Sequence, residues 1–347
     1  MKITFKKLKK EADLFCKLST LNDLAAVISV SKNEILLMAF EPVYYHFTVP
    51  KSTGGQRYIE APDIELKKIQ RRLNYFLQKV YYLNQSRAAH GYIISVIGEK
   101  NPKTILSQAE KHLGANYMLN VDFSDFFHQI SITDVKNIFQ CSPFKFNQYA
   151  AYTLAKICCY KDRLPMGAPT SPVLSNFYTR SLDEDLIKWS MPQKITYTRF
   201  VDDLSFSSLD SPFNITHYEQ ITEITNNYGL VLNPSKTVYY DIKDEKIVTG
   251  LILRETVDIL PEFYEELDKD INRLKAINEV VYITGKIQKP LMLSTFKQEV
   301  MGKIAFIAQI EGKNSPEYNH YMEKYEDAEA PDEELSVRWT KFGNYLI

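Results

Sequence analysis

The sequence predicts an α+β protein with two or three subdomains. Short strand-like runs alternate with helical stripes up to a boundary near residue 257, and only helical stripes follow in residues 258–347. Two adjacent aspartates, Asp202 and Asp203, lie between runs rich in aromatic and β-branched residues, which favour strands. A chain of 347 residues is also too long for one small core. We therefore expect residues 1–257 and 258–347 to form separate domains.

Composition narrows the class of protein. Hydrophobic residues make up 45% of the chain and charged residues 24%, which predicts a soluble globular protein. The net charge is −1, so nucleic-acid binding requires a local basic face balanced by acid elsewhere. The four cysteines have no zinc-ligand spacing, and neither a signal peptide nor a membrane-length apolar run is present. These features predict a cytoplasmic location with reduced thiols and no membrane association.

The first 62 residues are predicted to contain a helix and then a β-hairpin. Residues 44–62 have the pattern of two strands around a glycine turn, with one cation on each arm, Lys51 and Arg57. Cations beside a flexible turn suit a triphosphate, although an ordinary exposed hairpin has the same pattern. The stripe that predicts the amphipathic helix in the first 40 residues consists of Leu14, Leu18, Leu21, Leu24 and Val27.

The middle of the chain is predicted to alternate helices, strands and one stiff loop. An apolar run ends at Asp122, which suits either a metal site or the cap of a following helix. Residues 131–160 are predicted to be helical, and the segment 163–172 holds three prolines and a glycine that impose a specific loop. Helices are predicted again over Val173–Leu186 and His217–Tyr228.

The aspartate pair predicts a cation site. Carboxylates about 4 Å apart repel one another and resist desolvation, so a buried hairpin tip needs a compensating cation. Oxygen ligands favour a divalent ion, typically Mg²⁺. A solvated turn is the alternative for an isolated pair. The other motifs of the chain favour the metal site.

Taken in order, the motifs resemble those of reverse transcriptases of the bacterial retron type, over most of residues 44–254. Lys51–Pro62 resembles the fingers hairpin of the family, and Val121–Phe127 resembles its first catalytic motif. Leu164–Pro172 resembles the Pro-Gly loop, and Phe200–Asp203 resembles the double-aspartate motif. Gly229–Thr237 resembles a later motif. Two retron-specific elements are matched by Gln108–His112 and Val248–Gly250.

The resemblance implies a right-hand polymerase fold, with fingers and palm in residues 1–257 and a helical, RNA-binding thumb in residues 258–347. It implies that Asp122, Asp202 and Asp203 are catalytic. Asp122 and Asp202 would hold two Mg²⁺ ions, for which Mn²⁺ is a substitute. The backbone carbonyl of Phe123 would be a further ligand, and Asp203 would support one ion or the primer end.

Further contacts follow from the same resemblance. Phe127 would lie under the sugar and exclude a 2′-hydroxyl. The residues implied to bind the nucleotide are Lys51, Arg57, Phe127, Met166, Gly167 and Lys236. The residues implied to bind RNA are Gln108, His112, Val248, Thr249 and Gly250.

Three residues depart from the pattern of the family. Phe200 stands where a tyrosine is usual, which removes a hydroxyl near the primer. Met166 stands where a glutamine is usual, which removes an amide near the incoming nucleotide or the template, so we expect fidelity or rate to differ. Gln108 replaces the usual asparagine of the first retron-specific element. This last departure bears on the retron type more than on polymerase activity.

The implied function is RNA-directed DNA synthesis. Enzymes of this type copy part of their own structured noncoding RNA, prime from a 2′-hydroxyl of that RNA and leave a branched RNA–DNA product, commonly in anti-phage defence. The implied partners are the cognate RNA with its cDNA, deoxynucleoside triphosphates and a separate effector or toxin protein, with oligomers formed through the RNA or the effector. The alternatives are a defence or intron-type reverse transcriptase without a branched product, a catalytically silent RNA-binding scaffold for a toxin, and a metal-dependent phosphohydrolase.

Overall fold

The structure is a computed structural model that describes residues 3–50, 54–284 and 290–329. Contacts divide it into two compact units, one ending at Thr249 and the other beginning at Gly250. The sequence pattern places its boundary slightly later, near residue 257. Lys51, which we expect to bind the nucleotide, lies outside the described residues.

The chain begins with three short helices where the sequence predicts one stripe. They are α1 (Phe5–Phe15), α2 (Leu21–Ile28) and α3 (Lys32–Phe40). Capping boxes at Thr20 and Ser31 start α2 and α3, because each hydroxyl and the acidic side chain three residues later satisfy free backbone amides. The prediction of one continuous stripe is therefore wrong, and Leu14 is 48% exposed.

The predicted hairpin in residues 44–62 is confirmed. Strands β1 (Tyr44–Pro50) and β2 (Gln56–Pro62) pair antiparallel, with Val49 opposite Arg57. Helix α4 (Ile64–Asn84) follows, and the Asp63 side chain caps it by accepting from the Leu66 amide. This helix buries an apolar stripe that includes Leu66, Leu73 and Leu77.

A four-stranded antiparallel sheet forms the centre of the first unit. Its strands are β3 (Tyr117–Asp122), β4 (Thr196–Phe200), β5 (Asp203–Ser208) and β6 (Val238–Tyr240), in the order β4-β5-β3-β6. The register of β3 on β5 places Asp122 directly opposite Asp203. Residues far apart in the chain thus meet at one end of the two central strands.

Further helices of the first unit bury an aromatic-rich core. They are α5 (Ile105–Ala109), α6 (Ile132–Gln140), α7 (Gln148–Cys158), α8 (Ser171–Tyr178), α9 (Arg180–Ser190) and α10 (Ile215–Asn226), and strand β7 (Lys246–Val248) ends the unit. The continuous helix predicted over residues 131–160 is two helices, α6 and α7. Phe139, Phe144 and Phe146 pack together around the break between them.

The described residues of the second unit form a short hairpin and three helices. The hairpin consists of β8 (Leu251–Leu253) and β9 (Val257–Ile259), and the helices are α11 (Pro261–Thr284), α12 (Pro290–Ile310) and α13 (Pro316–Glu329). The predicted helical stripes bury Leu267, Ile271, Leu274, Val300, Ile304 and Ile307. In neither unit does a described helix have the length and apolarity needed to cross a membrane.

Candidate active site

The turn between β4 and β5 has an unusual backbone. Val201 has a φ of 62°, a left-handed value that a β-branched residue rarely adopts. The Val201 carbonyl accepts a hydrogen bond of 3.0 Å from Nη1 of Arg199. Gly91 packs against the turn, where an added Cβ would lie 2.9 Å from Cγ2 of Val201. The surrounding structure therefore holds a strained turn that carries Asp202, a feature typical of functional sites.

Three carboxylates converge beside this turn. Asp122 ends β3 opposite Asp203, the first residue of β5. The Asp202 carbonyl accepts a 3.3 Å hydrogen bond from the amide of Phe123, and the Asp122 carbonyl accepts a 2.7 Å bond from the amide of Asn233. The backbone thus joins the motif around Asp122 to the hairpin turn and to the segment that follows α10.

Burial and the neighbouring negative charges raise the pKa of the Asp202 and Asp203 carboxylates. Burial, followed by the charge of Asp122, raises the pKa of Asp202. Burial, the charge of Asp202 and the interaction with Asp122 raise the pKa of Asp203 to about 8. Arg57 on β2 lowers the pKa of Asp202 through its charge, so this guanidinium lies within electrostatic reach of the site.

Lys236 makes direct contact with the carboxylates. Its Nζ lies 2.9 Å from Oδ2 of Asp122, and its side chain is 51% exposed. Burial alone would lower the pKa of Lys236, but the hydrogen bond to Asp122 and the negative charges nearby raise it. Lys236 follows Asn233, whose side chain accepts from the Ser235 amide and so shapes the turn. We expect Lys236 to bind the triphosphate, and this structure pairs it with Asp122.

The donor set suits Mg²⁺ bound together with a substrate. Oδ1 of Asp122 is buried and receives no hydrogen bond from the described residues. Within residues 3–50, 54–284 and 290–329, no group of three or more His, Cys, Asp or Glu side chains is placed to hold a metal ion. Magnesium in polymerase sites usually takes one or two carboxylates, with waters and substrate phosphates as the other ligands. The residues present therefore fit the ion.

The Pro-Gly loop packs against the fingers hairpin. The Met166 carbonyl accepts a 2.7 Å hydrogen bond from the Glu60 amide. Gly167 has a φ of 131°, and an added Cβ would lie 2.8 Å from the Glu60 carbonyl oxygen, so this position requires glycine. Phe127 lies half-buried in a short turn, with its ring 5.6 Å from that of Phe126. The loop and the hairpin therefore belong to one region of the first unit.

A buried ion pair lies beneath the hairpin. Arg199 binds Asp183 through two hydrogen bonds, 2.8 Å from Nε to Oδ1 and 2.7 Å from Nη2 to Oδ2. The Tyr197 hydroxyl also donates to Asp183, and the Asn176 side chain accepts from Arg199. The sequence patterns do not predict this network. Its only signal there is one arginine in a strand of otherwise apolar and hydroxyl residues.

The residues expected to bind RNA fall into two groups. Gln108, His112 and Val248 are buried, so their side chains support the fold in this structure. The Thr249 hydroxyl donates to Oε1 of Gln108 over 3.0 Å, which links the two segments that resemble retron-specific elements. Thr249 itself is half-buried. Gly250 is exposed and has a φ of 80°, with open space around an added Cβ.

His112 connects the two strands of the β4–β5 hairpin. Its Nδ1 lies 2.7 Å from the hydroxyl of Ser207 on β5, and its Nε2 lies 2.7 Å from the hydroxyl of Thr198 on β4. Burial lowers the pKa of His112 to about 3, so the ring is neutral at physiological pH. His112 therefore positions the hairpin through its hydrogen bonds.

We predict that His112→Gln reduces the stability of the protein most at neutral pH. The folded-state pKa lies below that of the unfolded chain, so stability from the neutral ring is lost as the pH falls below about 6.5. The difference in unfolding free energy between parent and variant should therefore shrink in acid. Urea unfolding at pH 7.5 and pH 5 measures it, with the same replacement at exposed His320 as control. A difference that grows in acid would contradict the prediction.

Comparison with known proteins identifies the family. Residues 49–253 match the family described as reverse transcriptase (RNA-dependent DNA polymerase). The chain belongs to the reverse transcriptase family. The retron Ec86 reverse transcriptase of Escherichia coli is 30% identical, covering 89% of this chain and 90% of that protein. The retron Mx65 reverse transcriptase of Myxococcus xanthus is also 30% identical, covering 63% of this chain and 53% of that protein.

These relatives confirm several predictions. This reverse transcriptase is of the bacterial retron type and is an RNA-directed DNA polymerase. Its fold class is α+β with the right-hand polymerase fold. Among solved structures, apo telomerase from Candida tropicalis is 10% identical with a TM-score of 0.46, covering 82% of this chain and 61% of that chain. Telomerase from Candida albicans bound to a telomeric RNA fragment is 13% identical with a TM-score of 0.42, covering 86% and 62%.

Proposed function

We propose that this reverse transcriptase copies part of its own structured noncoding RNA and leaves a branched RNA–DNA molecule, the multicopy single-stranded DNA of a retron. The catalytic part of this proposal is supported by the convergence of Asp122, Asp202 and Asp203 at one end of the central strands of the sheet. Nucleotide addition is an in-line displacement at phosphorus, in which catalysis is mainly positioning and charge neutralisation. Similarity to retron enzymes over most of the chain supports the choice of template.

The catalytic roles follow from the contacts at the site. Asp122 and Asp202, with the backbone carbonyl of Phe123, would hold two Mg²⁺ or Mn²⁺ ions, and Asp203 would support one ion or the primer end. When bound, such ions activate the attacking hydroxyl and stabilise the leaving pyrophosphate. Without them, Lys236 neutralises part of the charge on Asp122.

The nucleotide is proposed to lie between the carboxylates and the fingers hairpin. Arg57 is exposed, and its charge reaches Asp202, so it suits a triphosphate bound beside the catalytic edge. Lys51 and Lys236 are proposed to assist it. Met166 and Gly167 would border the base or the template strand, because their loop packs against the same hairpin.

Phe127 is proposed to exclude ribonucleotides by contact with the 2′-carbon of the sugar. We expect Phe127→Ala to weaken the preference for dNTP over rNTP by about 10-fold or more, since the added space admits a hydroxyl. Single-nucleotide incorporation with paired dNTP and rNTP measures this ratio. Phe5→Ala, at an exposed phenylalanine of α1, is the control. An unchanged ratio in Phe127→Ala would remove Phe127 from sugar selection.

The second unit is proposed to act as the thumb, which grips duplex through backbone phosphates without reading sequence. Thr249 and Gly250 are proposed to contact the cognate RNA. Gln108, His112 and Val248 would support that contact from buried positions. The proposed biological setting is cytoplasmic anti-phage defence with a separate effector or toxin protein, in complexes assembled through the RNA or the effector.

Nucleic acid that co-purifies with the protein tests this function. The parent should carry a branched RNA–DNA molecule, which nuclease digestion and sequencing across the branch identify. Asp202→Asn, purified in parallel, should carry the RNA without attached DNA. A linear cDNA from the parent would favour a defence or intron-type enzyme. DNA on the Asp202→Asn protein equal to that on the parent would contradict the catalytic assignment.

A further inference from the structure

Glu60 is a fully buried carboxylate on β2, and the catalytic roles described above do not use it. Its Oε2 lies 2.7 Å from Nη1 of Arg163, and its Oε1 lies 3.1 Å from Nη2. Nε2 of His128 lies 3.3 Å from the same Oε2. Burial acts to raise the pKa of Glu60, but the hydrogen bonds of Arg163 and the charges of Arg163 and His128 lower it overall. The carboxylate is therefore ionised, is bound by Arg163 through two hydrogen bonds and lies beside the ring of His128, whose Nε2 makes no hydrogen bond to the described residues.

Each partner of Glu60 leads to a different part of the proposed nucleotide pocket. His128 directly follows Phe127, and its Nδ1 lies 2.7 Å from Oδ2 of Asp125. Arg163 begins the segment that runs into the Pro-Gly loop, and its backbone pairs with that of Ser131. The Glu60 amide donates to the Met166 carbonyl. Glu60 also lies three residues after Arg57 on the same strand.

The contacts of Glu60 are better suited to fixing the positions of neighbouring groups than to stabilising the fold. An arginine that binds a carboxylate through two parallel hydrogen bonds fixes both distance and orientation. A buried carboxylate and its partners are costly to desolvate, so such a pair is weak support for stability alone. Small displacements of groups that hold a substrate can reduce rates by about 100-fold. A rigid joint at Glu60 therefore matters most where the substrate binds.

We propose that Glu60 is a positioning residue that joins the fingers hairpin, the Phe127 turn and the Pro-Gly loop into one wall of the nucleotide pocket. Through this joint it sets the affinity for the incoming nucleotide and the sugar preference exerted by Phe127. The inference rests on the proposed roles of Arg57 and Phe127. Glu60 acts through its partners and does not itself contact the substrate.

Glu60→Gln tests the inference, because it keeps the shape of the side chain and removes its charge. At a temperature well below the Tm of each variant, we expect a rise of about 10-fold or more in the KM for dNTP, with a smaller change in kcat. The preference for dNTP over rNTP should fall in the same variant. His128→Gln should lower this preference with little change in KM, and Arg163→Lys should raise KM because lysine cannot form the paired hydrogen bonds.

Glu11→Gln is the matched control. Glu11 lies 3.2 Å from Nζ of the buried Lys79 and accepts from the Tyr75 hydroxyl over 2.8 Å, in a contact between α1 and α4. The same chemical change there should lower the Tm and leave both KM and sugar preference at parental values. The comparison separates a loss of stability from a loss of positioning.

The results distinguish a positioning role of Glu60 from a role in stability alone. The inference is overturned if Glu60→Gln resembles Glu11→Gln, with a lower Tm but parental KM and sugar preference. If Glu60→Gln does not fold, His128→Gln and Arg163→Lys decide, and parental values in both overturn it. Phe127→Ala in the same series separates the inference from the proposed function. An unchanged sugar preference there rejects the role of Phe127, while the KM of Glu60→Gln still judges Glu60.

Discussion

Replacement of Asp202 or Asp203 by Asn should reduce primer extension at least about 1,000-fold, which corresponds to roughly 4 kcal/mol of lost transition-state stabilisation. Both side chains lie beside Asp122, where a neutral amide lacks the negative charge by which a carboxylate binds a divalent ion tightly. Primer extension on an RNA template measures the loss. Asp210→Asn is the control, since Asp210 lies beyond the other end of β5 and is exposed. Extension by Asp202→Asn at the parental rate would exclude this site.

The same substitution at Asp203 should stabilise the protein when metal is removed by a chelator. The folded-state pKa of about 8 lies above the ordinary value of 3.8, so the folded protein retains a proton that the unfolded chain releases. Stability from this group is full below about pH 4 and is lost as the pH rises to about 8. The Tm of Asp203→Asn relative to the parent should therefore increase over this interval. Added Mg²⁺ should raise the Tm of the parent more than that of the variant, and a relative Tm that falls with pH would contradict the assignment.

Arg199→Met should lower the free energy of unfolding by about 3–5 kcal/mol, because it leaves the buried Asp183 carboxylate without its cation. Activity should fall as well, since Arg199 also holds the carbonyl of Val201. Urea unfolding and primer extension measure the two effects. The double variant Arg199→Met, Asp183→Asn should recover part of the stability, because no uncompensated charge remains.

The control for this prediction is an ion pair on the same hairpin that is open to solvent. Lys194 lies 3.2 Å from Asp210, and both side chains are exposed. Lys194→Met should change stability far less, because exposed ion pairs contribute little. Equal losses in Lys194→Met and Arg199→Met would show that burial of the Arg199 pair has no special effect.

Local patterns in the sequence predict the elements around the site well. The aromatic and β-branched runs on either side of Asp202 and Asp203 predict the β-hairpin, and the glycine turn after residue 50 predicts the fingers hairpin. Both depend on residues close together in the chain. The stripe from Leu14 to Val27 fails, because the capping boxes at Thr20 and Ser31 divide the segment whatever its apolar period.

Contacts between distant residues are not evident from such patterns. Lys236 meets Asp122 across 114 positions, and Arg163 meets Glu60 across 103. Single charged residues have no period, so their partners emerge only from the register of the sheet. Resemblance to a family also does not predict which side chains are buried, so it does not reveal that Gln108 and His112 lie in the interior. Their proposed role, to support the contact of Thr249 and Gly250 with RNA, stays a prediction.

The ion pair between Lys236 and Asp122 has a consequence for how the enzyme acquires its metal. Because the ammonium of Lys236 already contacts one carboxylate oxygen of Asp122, a divalent ion that binds this oxygen would have to displace it, and the site would gain one net positive charge. Lys236 is half exposed, so its flexible stem can swing into water without opening the core. Removal of divalent ions by a chelator should therefore leave the polymerase folded but inactive, and added Mg²⁺ should restore its activity without refolding.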